Sequence, residues 1–218
     1  MKFYAKKIYF ILFFISAILF TNKLYSKESK IEYSQENISN YLLGTISFNQ
    51  SNNKKSYKYL GKAKSLKDFH TNYNINFIRT LVLLDKFKEA YDFAEDTWDE
   101  EKTFFEGDLL LGIDAFKKKK YRKAEKHFER LNPISSQNLV FADFLGNVLI
   151  SWVKASENDQ KNSFKFYDKI PNRFSNLKQI QNSFLQCYFD TSKTETNYLD
   201  LLKNNEYDFS RYNYFLIN

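Results

Sequence analysis

Between Gly107 and Pro133 the apolar positions fall into two helical stripes. Leu109, Leu110, Leu111 and Ile113 surround Gly112. After a run of four lysines, Tyr121, Ala124, Phe128 and Leu131 recur at spacings of three and four, which places them on one face of a second helix. Gly112, Ala124 and Phe128 have counterparts 34 residues earlier in Ile78, Ala90 and Ala94, and 34 earlier again in Gly44, Ser56 and Leu60. A helical hairpin repeated at this period predicts an array, because one hairpin cannot bury its apolar face without a neighbour.

The pattern predicts first helices over Ile38–Phe48, Tyr73–Leu84, Phe105–Phe116 and Leu139–Val153. It predicts second helices over Lys54–Leu66, Phe87–Trp98 and Tyr121–Leu131. Gly44, Ile78, Gly112 and Gly146 mark one place in the first helices at intervals of 34. A glycine inside a helix costs about 1 kcal/mol relative to alanine, so its recurrence points to a close helix crossing. Ser56, Ala90 and Ala124 are the small residues expected to face the first helix. The fourth unit slips by about five residues, through a longer first helix or a longer turn, and its second helix then runs through Ser163, Tyr167 and Ile170. A degenerate fifth unit spans Leu177–Phe189 and Thr194–Leu202, with Ser183 as its small residue. Arg211–Asn218 reads as the start of a sixth first helix, an apolar end suited to self-association.

Leu111-Gly112, Tyr121-x-x-Ala124-x-x-x-Phe128-x-x-Leu131 and Asn132-Pro133 resemble the tetratricopeptide repeat. Units one and two share the resemblance through Leu43-Gly44, Ser56, Leu60 and Ala63, and through Phe87-x-x-Ala90, with Ala94 where that family usually has a large residue. The early Trp of many such repeats is absent. The resemblance implies an all-α, right-handed α-solenoid of about five helix-turn-helix repeats with an incomplete C-terminal repeat. Repeats one to four occupy 37–170, after a polar lead-in at 27–36, and the degenerate remainder occupies 171–218. First helices would line a concave groove that takes a partner peptide or helix. The inner-face positions are Tyr41, Thr45, Phe48, Ile75, Arg79, Val82, Leu109, Ile113, Phe116, Lys117, Asp143 and Asn147. Tyr41 and Thr45 stand where the cochaperone version of the repeat begins its carboxylate clamp of Lys and Asn, so that clamp is not expected here.

The N-terminus changes the picture of location. Lys2, Lys6 and Lys7 precede an apolar run from Ile8 to Phe20, and Leu24-Tyr25-Ser26 supplies a small residue for cleavage. That layout predicts a secretory signal peptide over 1–26. The run is 13 residues long, short of the roughly 20 that span a bilayer. An exported product, periplasmic or envelope-associated, is expected, and the whole chain is similar to large tetratricopeptide proteins of Gram-negative cell envelopes. Losing the four lysines of that segment takes the formal charge from +7 to +3, too weak to argue for nucleic acid. The abundance of Lys, Asn, Ile, Phe and Tyr together is what AT-rich codons produce, so the 19% aromatic content is not a functional signal.

Few residues suggest chemistry. His70 and His127 lack a second ligand at metal spacing, Cys187 has no partner for an intrachain disulfide, and no Gly-rich phosphate loop is present. Asp92, Glu95, Asp96 and Asp99 share a helical face that could hold a divalent cation, but a solvated outer face with ion pairs between units is the expected reading. No catalytic residue, metal or cofactor is assigned. The sequence thus predicts a non-catalytic protein–protein interaction scaffold with an unidentified protein partner. The alternative is an envelope accessory that binds glycan or lipid through aromatic groove residues.

Overall fold

The computed structural model describes residues 34–102, 104–132 and 141–203. The predicted signal peptide, Pro133 and the segment Arg211–Asn218 lie outside the described residues. Ten α-helices occupy the described chain, with no strand among the described residues. They are α1 (Gln35–Asn49), α2 (Asn53–Leu60), α3 (Thr71–Leu83), α4 (Phe87–Thr97) and α5 (Phe105–Lys117), then α6 (Tyr121–Glu129), α7 (Ala142–Ser156), α8 (Gln160–Asp168), α9 (Ser175–Tyr188) and α10 (Thr194–Lys203). Each helix packs on the next. In addition α1 touches α3, α3 touches α5 and α7 touches α9.

The local signals for these helices are polar caps. The Ser34 hydroxyl accepts from the Asn37 amide at 3.1 Å, Asn52 accepts from Lys55 at 3.2 Å, and Asp159 accepts from Asn162 at 3.0 Å. Each satisfies an amide that the first helical turn leaves without a partner. His70 plays the same part for α3 through Nδ1, 3.1 Å from the Tyr73 amide. The predicted second helix of unit one is interrupted. It ends at Leu60, Gly61 follows, and a short 3-10 turn at Lys64–Leu66 completes it. Ala63 and Leu66 are nevertheless buried.

One backbone device recurs at every hairpin. Ser51, Asp85, Lys119, Asn158 and Asp190 have φ of 57°, 57°, 58°, 60° and 48°. Each is the left-handed residue that ends a first helix. At the first turn Ser51 N donates to Phe48 O at 2.9 Å, and Asn52 N donates to Ser47 O at 2.8 Å. The same pair of bonds recurs at the other four turns, satisfying carbonyls the helix end exposes. These five residues are spaced by 34, 34, 39 and 32, so the backbone reproduces the sequence period.

The turns also locate the slip in unit four. Seven residues before each left-handed residue stand Gly44, Ile78, Gly112, Ser151 and Ser183. The α7–α8 turn holds three residues, as do the first three hairpin turns. The surplus therefore precedes Ser151, and the turn is not lengthened. Gly146 is consequently not the hairpin-packing residue of its own unit. A Cβ there would approach Asn132 Oδ1 and lie 3.0 Å from Phe128 O, so this glycine lets α7 close on the end of the preceding second helix. Ser151 takes the hairpin place, and its hydroxyl donates to Ser163 O at 2.8 Å.

Packing inside the hairpins follows a size exchange. A Cβ on Gly44 would lie 2.6 Å from Leu60 Cδ2, and one on Gly112 would lie 2.6 Å from Phe128 Cδ1. In unit two the pair is inverted: Ile78 shares a buried cluster with Ala94. A large residue sits in one helix and a small one in the other, sixteen positions apart in all three cases. The buried Ser56 hydroxyl pairs with Thr80 Oγ1 of α3 at 2.9 Å, joining α2 to the next hairpin. Ser56, Ala90, Ala124 and Ser163 are all fully buried. Burial pushes the Tyr73 phenol pKa up, and its hydroxyl donates to Leu60 O at 3.0 Å, tying α3 to α2.

Two outcomes follow. Phe128→Ala should destabilise by about 3–5 kcal/mol and Gly112→Ile by about 1–3 kcal/mol. The double variant, which copies the Ile78–Ala94 arrangement, should be more stable than the two losses summed, with a coupling of at least about 1 kcal/mol in urea titration. Strict additivity would show that the exchange is not what matters. Separately, Lys119→Gly should raise stability by roughly 0.5–1 kcal/mol, since it relieves left-handed strain at some cost in chain entropy; a lower urea midpoint would contradict this.

Candidate functional site

One place past the hairpin-packing position the five first helices carry Thr45, Arg79, Ile113, Trp152 and Phe184. Several of these bind the neighbouring first helix. Asn76 Nδ2 lies 3.5 Å from Thr45 Oγ1, bridging α3 to α1. Arg79 Nε donates to Glu106 Oε1 at 2.8 Å, bridging α3 to α5. Trp152 Nε1 donates to Gln181 Oε1 at 2.9 Å, bridging α7 to α9. Tyr188 meets the Trp152 ring edge-on at 5.7 Å.

The predicted inner-face residues divide in this frame. Tyr41 is half-buried, with its ring 4.6 Å from His70 and 6.4 Å from Tyr73. Phe48, Ile75, Val82 and Leu109 are half-buried, and Ile75 and Val82 pack against the Ile78–Ala94 cluster. Arg79, Ile113 and Lys117 are exposed. Phe116 is half-buried, with its ring 6.0 Å from Tyr121. The Asp143 side chain lies outside the described residues. Asn147 is 6% exposed and so is not a surface residue. Asp143 and Asn147 stand 34 residues after Leu109 and Ile113. The surplus before Ser151 moves the matching places to Val148 and Trp152. Trp152, Gln181 and Tyr188 were therefore missed. The signal that could have found them is the polar turn at Glu157-Asn158-Asp159, counted backward by seven rather than forward from Gly112.

A second cluster escaped the sequence altogether. Asp108, in α5, is fully buried. Its Oδ1 accepts from Trp98 Nε1 at 2.8 Å, lies 3.0 Å from His127 Nδ1, and accepts from Arg130 Nε at 3.0 Å; Oδ2 also lies 3.0 Å from that Nε. Arg130 goes on to donate through Nη1 to Glu100 O and through Nη2 to Asp99 O and Lys102 O. Its guanidinium stands 5.1 Å from the Trp98 ring centre, and Lys126 stands 5.6 Å from it. The carboxylate thus ties the link after α4 to both helices of the third hairpin. His127 is 3% exposed, so this His–Asp pair has no access to a substrate. Its role is to hold two hairpins in register.

Exposed ion pairs join neighbouring units. Lys67 reaches Asp96 at 2.5 Å, Lys123 reaches Glu95 at 3.7 Å and Lys126 reaches Glu100 at 2.6 Å. Bonds to Asp96 raise the Lys67 pKa, and bonds from Lys126 lower that of Glu100. Asp92 pairs with Lys88 and Asp99 with Lys102. The four carboxylates proposed as a cation face are each engaged by a basic side chain. No group of three or more His, Cys, Asp or Glu could hold a metal ion among the described residues. None of the described helices is long and apolar enough to cross a membrane. No family model, curated protein or solved structure matches the chain.

Removing Asp108 should test the buried cluster. Asp108→Ala leaves Arg130 and His127 without their acceptor and should cost on the order of 3–5 kcal/mol. Asp108→Asn, which keeps one acceptor, should cost less. Chemical denaturation of both variants measures the difference, and equal, small losses would mean the cluster is replaceable by water.

Proposed function

We propose that the chain is a non-catalytic interaction scaffold of the tetratricopeptide type. In this reading it is a right-handed solenoid, exported to the periplasm or envelope, that binds a partner peptide or helix along its first helices. The observation that carries this is the row Thr45–Arg79–Ile113–Trp152, one residue per hairpin at the same place in each first helix, with α1 touching α3 and α3 touching α5. The nearest-neighbour helix contacts and the recurring left-handed turns support stacked hairpins. The row changes character along its length. Its N-terminal part is polar, with Asn76 and the Arg79–Glu106 pair, and its later part is apolar, with Ile113 and Trp152. A bound segment would place polar groups toward α3 and an apolar anchor toward α5 and α7, since buried aromatic anchors dominate such contacts. A second reading has one specific support: Trp152, Gln181 and Tyr188 put a ring edge and an amide side by side, a pairing suited to a glycan.

A photo-crosslinking amino acid installed at Ile113 in living cells tests the proposal, with Lys88 on the outer face as control. A discrete protein adduct is expected from position 113 in the exported fraction, absent from position 88 and lost on Trp152→Ala. Adducts only with glycan or lipid would support the second reading. Identical adducts from both positions would defeat the groove.

A further inference from the structure

The first three hairpin turns lie side by side. Leu84, in the turn between α3 and α4, lines one open cleft with Ser51 and Lys54 at the turn between α1 and α2. Lys118, in the turn between α5 and α6, stands 4.8 Å from the ring centre of Tyr91 in α4. This edge carries charge that the fold does not use. Lys54, Lys55, Lys117, Lys119, Lys120 and Arg122 are exposed, and none forms an ion pair among the described residues. Glu89, Asp92 and Asp114 are held by Lys86, Lys88 and Lys118, which leaves Asp85 as the carboxylate opposing those six cations.

Helix stability does not account for the cations. Lys54, Lys88 and Arg122 stand 34 residues apart, each the second residue of its helix in α2, α4 and α6. The start of a helix carries partial positive charge, which favours acids there and disfavours lysine and arginine. The middle of the edge is apolar. Leu83 ends α3 and Phe87 begins α4, and they are 58% and 54% exposed. A soluble polyanion would engage the cations and leave these two side chains in water. The boundary of a bilayer meets both needs, with phosphates at its surface and an apolar layer just beneath. We propose that this turn edge docks on a membrane surface bearing anionic lipid, with Leu83 and Phe87 entering the headgroup layer between the cations of the flanking turns. The attraction is screened by salt, so binding falls as ionic strength rises.

The test mixes the protein isolated from the expressing cell with vesicles of phosphatidylglycerol and phosphatidylcholine in equal parts, or of phosphatidylcholine alone. Co-sedimentation measures both affinities. Their ratio is the readout, because any pull of the Ile8–Phe20 run on lipid is common to every variant. Lys120→Glu with Arg122→Glu should lower the ratio at least about ten-fold. Acids suit the start of α6, so helical content should hold. Lys62→Glu with Lys169→Glu, the same change of charge just past the ends of α2 and α8, should leave the ratio nearly unchanged. Leu83→Ser with Phe87→Ser should weaken binding to the anionic vesicles and leave binding to soluble polyphosphate as it was. Equal affinity for the two kinds of vesicle overturns the proposal, and so do equal losses from the two charge-reversed pairs, which would make net charge the whole attraction. Anionic-vesicle binding that survives the loss of Leu83 and Phe87 overturns it too, and would assign the edge to a soluble polyanion.

Discussion

The structure depends on how closely the two helices of each hairpin cross. That distance is set by one position seven residues before the left-handed turn residue. Where it holds Gly44 or Gly112, the second helix brings Leu60 or Phe128 into the space, and where it holds Ile78 the second helix offers Ala94. Close packing makes the pair, rather than either residue, the conserved volume of the hairpin. The turn fixes the phase. A left-handed residue and its two backbone bonds close the first helix at a set distance from the crossing, and in the first four hairpins the second helix starts two residues after it.

Between hairpins the ties are of two kinds with unequal weight. The exposed Lys–Asp and Lys–Glu pairs between units stay hydrated and hold the hairpins only weakly. Asp108 is different, since a fully buried carboxylate is tolerated only when its donors are in place. Trp98, His127 and Arg130 supply them from the link before α5 and from α6. Lys154 falls between the two kinds. Burial by itself would lower its pKa, but the bonds to Glu125 and Glu157 raise it, and the Glu125 bond joins α7 to α6.

These ties leave the first-helix row free to vary. Thr45, Arg79, Ile113 and Trp152 occupy equivalent places, yet their chemistry runs from hydroxyl to guanidinium to apolar. The residue beside each of them is fixed by the hairpin crossing, while Thr45, Arg79 and Trp152 each bond the neighbouring first helix.

The period of 34, the helical hairpins and the buried small residues Ser56, Ala90 and Ala124 were legible in the sequence, because helix amphipathicity and a recurring glycine are local signals. The unit-five residue Ser183 was found in the same way. Tertiary structure decided the rest. Gly146 matched the period by count, but the five surplus residues precede Ser151, and only the turn at Asn158 shows which residue crosses α8. That shift moved the surface row from Asn147 to Trp152. The Asp108 cluster was equally hidden: the acid stands among nine between Glu89 and Asp108, and its partners lie 10, 19 and 22 residues away along the chain. Sequence spacing reports which face of a helix a residue occupies; which other face it meets depends on how neighbouring hairpins stack, and that is a property of the packed array.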